Sequence, residues 1–475
     1  MKEKNISGLV KRYEQMLGSG RSVYFDAGEF DDLADYYDML DDLDTSKKII
    51  ELGLKIHPEN YSLLLKNAKF IIYAGEYHKA LEYLNKTFGV YNFEAYLLKI
   101  ECLLSLDSYD EANALTQEVI NDEDNDDDIV FSELGFLYAE ADYYDDAVSF
   151  FEQSLAFNPE NVEVLMELSY AYEMCDNYSQ AIDISNKILD MDPYSYDAWI
   201  NVGKLYTLLD EYEKAIDAFD FALTINDSDI NILKLKAHCF SLSGRAIESI
   251  GLFKECIEMN PADKSLYYSL SDCYFSMEMY NEMLYCLDKY EELHGETTET
   301  IAKRALAHLQ KEDMEQAYLL LQSGIGLDPE SEDINIVMGE FYFRLEEYSK
   351  SEDFFLKVYK KGYDDGTMLD RLSFISISKN DMDKAIEYTE KLVSVNRNQD
   401  DYLSKIRLAL LYFETDNKQK FNQYLDTFDN EELKSLFGLF FSEDSLVSSS
   451  ITRDILINKL NDARECRQLF KNIVY

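Results

Sequence analysis

The prolines of this 475-residue chain keep a common phase. There are five, Pro58, Pro159, Pro193, Pro261 and Pro329, and from Pro159 onward they lie 34, 68 and 68 residues apart. Each gap is a multiple of 34, and self-similarity at such a period marks a repeat array. The remaining gap, 101 residues from Pro58 to Pro159, is three periods less one, so one residue is expected to be missing near 95–127. A second marker keeps the phase. Tyr-x-x-Ala recurs as Tyr77/Ala80, Tyr109/Ala112, Tyr144/Ala147, Tyr178/Ala181 and Tyr212/Ala215.

With position 1 set at Tyr196, the unit 196–229 reads Trp199, Val202, Gly203 and Tyr206, then Ala215, Phe219 and Ala222. Positions 4, 7, 8 and 11 follow the three-and-four spacing of one helical face, and positions 20, 24 and 27 do so on a second helix. Small residues at 8 and 20 (Gly135, Gly203, Ala147, Ala181, Ala215) let the two helices approach. Large ones at 11 and 24 (Tyr138, Tyr206, Phe151, Phe219) fill the space beside them. Proline at position 32 lacks an amide hydrogen and stops the second helix. Only 18 glycines and 5 prolines occur, too few turn residues for a sandwich or barrel.

This unit resembles the tetratricopeptide repeat (TPR), whose pattern is Trp-x2-Leu-Gly-x2-Tyr, Ala-x3-Phe and a closing Pro. Val202 stands for Leu and Asp227 for Pro. The unit 128–161 resembles it as well, through Phe131, Leu134, Gly135, Tyr138, Ala147, Phe151 and Pro159. Stepping by 34 gives about twelve units over 27–433, with 95–127 one residue short and 400–433 degenerate. The resemblance implies an all-α fold, a right-handed α-solenoid superhelix of stacked helix-turn-helix pairs. Residues 1–26 are expected to form an N-terminal helical cap through Leu9, Val10, Tyr13 and Leu17, broken at Gly18, Ser19 and Gly20. Residues 434–475 are expected to be C-terminal capping helices, one starting after Ser448 to Ser450 with Ile455, Ile457, Leu460 and Leu469 on its covered face.

The formal charge is −48, from 93 acidic and 45 basic residues. A field of that sign repels nucleic acid and anionic lipid, and reads either as a solvated acidic surface or as selection for a basic partner. Seven cysteines, an odd number with no Cys-x-x-Cys pair, fit reduced thiols and a cytoplasmic chain. The N-terminus lacks the apolar run of a signal peptide, and no stretch reaches 18 uninterrupted apolar residues, so no membrane insertion is expected. Even a run as rich as Phe437 to Phe441 is far too short.

No catalytic constellation stands out, and the residues outside the repeats are too few for an enzyme domain. None of His57, His78, His238, His294 and His308 has zinc spacing to a cysteine or a second histidine. Cys239, Cys256 and Cys273 lie 17 apart, half a repeat, and read as equivalent core slots. Asp122, Asp124, Asp126, Ile129 and Glu133 occupy places 1, 3, 5, 8 and 12 of a calcium-loop count. The glycine required at place 6 is Asp127, which favours an inter-repeat loop. No catalytic residue, metal or cofactor is therefore expected.

The resemblance implies a groove lined by the first helix of each pair, at positions 2, 5, 9 and 12. Those positions carry Phe136, Tyr170, Lys204, Lys234, His238, Tyr268, Phe275, Phe343 and Phe374. Each ring either contacts a partner or packs on the adjacent pair. Lys204, Lys234 and His238 would make a small basic island, able to hold a carboxylate beside Tyr170 and Tyr268 or to pair with local acids. The lysine–asparagine clamp with which some TPR domains grip chaperone tails has no full counterpart here. The expected function is a non-enzymatic protein- or peptide-binding scaffold. The alternative is a regulatory or assembly subunit of a larger complex, such as secretion or envelope machinery. The sequence leaves the oligomeric state open, with the 400–475 region the place for a dimer contact.

Overall fold

The computed structural model describes residues 2–19, 23–87, 92–122, 127–363, 365–395, 402–428, 453–465 and 470. Every regular element among them is a helix. Two compact units divide the chain, Met1–Arg245 and Ala246–Tyr475.

The first unit opens with α1 (Lys2–Ser19). Helix pairs follow: α2 (Ala27–Asp38) with α3 (Leu43–Ile56), α4 (Tyr61–Tyr73) with α5 (Tyr77–Thr87), and α6 (Phe93–Ser105) with α7 (Tyr109–Ile120). Next come α8 (Asp127–Glu140) with α9 (Tyr144–Phe157), α10 (Val162–Met174) with α11 (Tyr178–Met191), and α12 (Tyr196–Leu208) with α13 (Tyr212–Ile225). α14 (Ile230–Leu242) closes this unit. The second unit starts at α15 (Ala246–Met259), followed by α16 (Lys264–Ser276) with α17 (Tyr280–His294) and α18 (Thr298–Gln310) with α19 (Met314–Leu327). It continues with α20 (Glu332–Arg344) and α21 (Tyr348–Tyr359), α22 (Gly366–Ser378) and α23 (Met382–Val395), and α24 (Tyr402–Glu414) and α25 (Lys418–Thr427). α26 (Arg453–Glu465) lies last.

Local chemistry sets these boundaries. First helices start on side-chain caps: Asn60, Asn92, Asn161, Asp229, Asp263, Ser331 and Asp365 each accept a backbone N–H two or three residues on. The second helices α3, α9, α11, α15 and α19 each end two residues before a proline. The turn inside every pair is closed by one residue in the left-handed region. These residues are Asp41, Gly75, Asp107, Asp142, Asp176, Asp210, Gly244, Glu278, Glu312, Glu346, Asn380 and Asp416. Only two are glycine, so acidic side chains hold a conformation that favours glycine. Asp142, Asp176 and Asp210 offset part of that strain, because each accepts the hydroxyl of the tyrosine two residues later, at 2.6–2.7 Å.

The register differs from expectation in the third pair. Second helices begin at Tyr77, Tyr109 and Tyr144, 32 and 35 residues apart, so two residues are lost before Tyr109 and one is gained after it. The third unit thus starts at Phe93 rather than residue 95. The stretch 400–433 contributes a helix pair, with α25 beginning 36 residues after α23.

Each pair is locked by complementary volumes at positions 8 and 24. A Cβ on Gly135, Gly203 or Gly339 would stand 2.4–2.5 Å from the ring of Phe151, Phe219 or Phe355 respectively. Alanine faces leucine at these positions in Ala68/Leu84, Ala305/Leu321 and Ala409/Leu425. In the third pair the sizes reverse to Ile100/Thr116. Ser169/Ser185 and Ser373/Thr389 are both small, and hydroxyl bonds of 2.8 and 2.7 Å join them. All of these residues are buried: one large side chain fills the space beside a small one in most pairs, and hydroxyl bonds take its place where both are small.

Successive pairs are stapled at position 4. Trp199 Nε1, Tyr267 Oη and Asn335 Nδ2 donate to the carbonyls of Pro193, Pro261 and Pro329 at 2.9, 3.3 and 3.1 Å. The proline that ends one pair therefore presents the acceptor that seats the next. Around α1, Tyr13 is buried with Phe25 and Phe30, whereas Leu17, expected on the covered face, is exposed. On α26, Leu460 and Ile457 pack against Phe421 and Leu425 of α25, and Arg464 reaches Asp416 at 2.8 Å. Gly20, Phe437 to Phe441, Ser448 to Ser450 and Leu469 lie outside the described residues, as do Asp124 and Asp126. Ile129 and Glu133 belong to α8, so the later places of the calcium count are helix rather than loop. Among the described residues no helix is long and apolar enough to cross a membrane.

Candidate functional site

The sequence-derived positions divide by what surrounds them. Phe136 is half-buried, edge-on to Phe151 at 5.3 Å. Phe275 is half-buried against Tyr280 at 6.0 Å. Phe343 and Phe374 meet each other at 5.2 Å, share Tyr348, and carry the Arg371 guanidinium 4.5 Å above Phe343. These four rings spend much of their surface on packing. Tyr268 is occupied by polar partners: its hydroxyl donates to Glu299 and Lys303 Nζ sits 3.6 Å above its ring. Burial first, then Glu299, pushes the Tyr268 phenol well above its ordinary range. On α14, Lys234 is half-buried and His238 exposed.

Tyr170 and Lys204 are the two that the structure brings together around an open space. Both are exposed, on α10 and α12, and both line a concavity of about 250 Å³. Its floor is polar. Ser185 and Asn201 line it, and Asn201 Nδ2 donates to Ser169 Oγ at 2.9 Å and to Ser185 Oγ at 3.1 Å. Asp197, Met166, Ile188 and Ile200 complete most of the wall. Tyr170 stands edge-on to Tyr144 at 6.0 Å, and Tyr144 is in turn fixed by its bond to Asp142. Lys204 makes no hydrogen bond or ion pair with any described residue, and neither Lys234 nor His238 lines this space.

The concavity follows from the volume rule. In α8/α9, α12/α13 and α20/α21 a phenylalanine ring at position 24 covers the glycine at position 8. In α10/α11 two serines meet there, leaving the volume of a ring to Asn201 and to solvent-accessible space. Sequence reasoning placed Tyr170 and Lys204 on this face but overlooked Ser185 and Asn201. The available signal was the change of aromatic to serine at one position of an otherwise regular unit. The site carries donors, one cation, one aromatic face and one carboxylate, which suits holding an extended polar chain. Among the described residues no cluster of His, Cys, Asp or Glu could hold a metal ion.

Tandem helix pairs with capped starts, left-handed turns and complementary small and large residues define a helix-turn-helix α-solenoid. The particular repeat is the tetratricopeptide repeat, whose family model matches residues 196–229 and 367–399. No curated protein matches the sequence. Among solved structures, a tetratricopeptide repeat protein from Parabacteroides merdae shares 20% identity over 52% of this chain and 96% of its own, with a TM-score of 0.38. MamA shares 22% identity over 35% of this chain and 91% of its own, with a TM-score of 0.33. YrrB, described as a TPR protein with an unusual peptide-binding site, shares 17% over 39% and 95%, with a TM-score of 0.34.

Proposed function

We propose that this chain is a non-enzymatic scaffold that binds an extended segment of a partner protein along its first-helix face, with a carboxylate of that segment at Lys204. The observation that carries the reading is an exposed lysine with no ion pair among the described residues, beside the exposed Tyr170 ring and above a floor of Ser185 and Asn201. In a chain of net charge −48 such a lysine is a local exception. Its interaction with a carboxylate is charge-assisted, and Asn201, whose amide nitrogen is held by the two buried serines, presents its side-chain oxygen to accept a neutral hydrogen bond from the peptide main chain. Tyr170 supplies a rigid apolar face with little entropy to lose.

The test uses random peptides displayed with a free C-terminal carboxylate, and the same peptides amidated. The wild-type chain should retain carboxylate-bearing peptides, and Lys204→Glu should lose them because it turns attraction into repulsion. Tyr170→Ala should weaken the same peptides without changing which are chosen. Selection of identical peptides with equal affinity by wild type and Lys204→Glu would refute the assignment.

A further inference from the structure

A second concavity of the first unit, about 310 Å³, shares no lining residue with the first. Its walls are largely apolar, with Phe70 and Tyr73 from α4, Leu98 from α6 and Leu43 from α3. Tyr73 is 82% exposed, unusual for a ring of that size. Two carboxylates lie on the same walls, Asp38 and Glu101.

Both carboxylates lack what a buried acid normally has. Asp38 is the last residue of α2, so it sits at the negative end of that helix dipole. Its Oδ1 is shielded from solvent and accepts no hydrogen bond. Glu101 is held above its usual range by burial first and by Glu140 next, with Lys69 opposing. Neither acid makes an ion pair with a described residue. The two lysines on the rim do not change this. Lys66 is committed to Asp31 at 2.8 Å and Asp35 at 2.5 Å, and Lys69 is exposed. Counting these groups, five carboxylates stand against two ammonium groups.

An apolar wall ending in under-compensated carboxylates matches one kind of side chain, a long methylene stem with a cationic head. We propose that this concavity receives an arginine or lysine of the partner segment, its stem against Phe70, Tyr73 and Leu98 and its head on Asp38 and Glu101. The inference rests on the scaffold reading and specifies the chemistry of a second contact. The chain's overall charge acts in the same direction, by drawing basic segments to it at long range.

Random twelve-residue peptides, displayed and selected on the full chain, test it. Wild type should enrich arginine or lysine flanked by apolar residues. The double variant Asp38→Asn, Glu101→Gln should lose that enrichment and bind the selected peptides at least tenfold more weakly, while Glu255→Gln, Glu258→Gln, which neutralises two exposed acids of α15 outside the concavity, keeps it. The double variant removes only two of the chain's many negative charges, so enrichment that persists there would come from the general field and overturn the proposal. Peptides chosen without any basic preference would overturn it and leave the scaffold reading standing. Failure to select any peptide would overturn both.

Discussion

Replacing Gly203 by alanine tests the packing rule on which the fold depends. The new Cβ would lie 2.5, 2.7 and 2.8 Å from Cε1, Cδ1 and Cζ of Phe219, whose ring is fully buried. Ordinary carbon contacts are about 3.5–4.0 Å, so either the ring or the helix axis must move by about 1 Å. Overpacking of this kind costs about 1–3 kcal/mol. Alanine returns about 1 kcal/mol through helix propensity, which blurs the single substitution. A double-mutant cycle removes that contribution, because it is present in both backgrounds. The partner change is Phe219→Leu, which recreates the alanine–leucine pairing native at Ala305 and Leu321. A long repeat array need not unfold in one step, so the readout is hydrogen exchange of the α12 and α13 amides. The effect of Gly203→Ala on protection should differ by roughly 5- to 150-fold between the wild-type and Phe219→Leu backgrounds, the equivalent of about 1–3 kcal/mol. Gly251→Ala is the control. A Cβ there meets nothing within 4 Å, so that change should raise protection in α15. Equal effects of Gly203→Ala in both backgrounds, or a gain matching that of Gly251→Ala, would refute the reasoning.

Two further predictions concern the turns and the tyrosines. Glu278, Glu312 and Glu346 hold φ values of 58, 60 and 59° with exposed side chains. The left-handed conformation costs an L-residue about 1–2 kcal/mol, and glycine gives back about 0.5–1 kcal/mol in chain entropy, so each Glu→Gly change should stabilise by about 0.5–1 kcal/mol. A triple variant should therefore melt higher, and a lower melting temperature would contradict the strain argument. Tyr109, Tyr196 and Tyr412 are pushed up to about 12, by burial first and then by Asp146, Asp229 and Glu390, and Tyr212 likewise by its bond to Asp210 and then burial. The folded phenols keep their protons after unfolded ones lose theirs, so this stability is complete below pH 10 and is lost as pH rises towards about 12. Urea titrations across that window should show falling stability with late phenolate absorbance, and a flat profile would contradict the assignment.

Much of the architecture was legible because markers recur where geometry repeats. Proline ends the second helix, Tyr-x-x-Ala begins it, and small and large residues alternate at fixed places. The third unit was misread because it lies between Pro58 and Pro159, with no proline to reveal that two residues were lost and one gained. The left-handed turns were hidden as well. Ten of the twelve are not glycine, and aspartate and glutamate are common throughout this acidic chain. For the proposed binding face, the sequence put Tyr170 and Lys204 on first helices, and they lie on α10 and α12. It could not distinguish Tyr170 from Phe343 or Phe374, because that depends on neighbouring side chains one repeat away. Ser185 and Asn201 escaped notice because they matter through an absence of volume.

The match between positions 8 and 24 is completed inside a single helix pair, over a separation of 16 residues. For this match, a whole pair is thus the unit. Copying or deleting 34 residues in phase would leave every such match intact, whereas a cut within a pair would join mismatched partners. Gain or loss of length in whole steps would therefore preserve the packing inside every remaining pair.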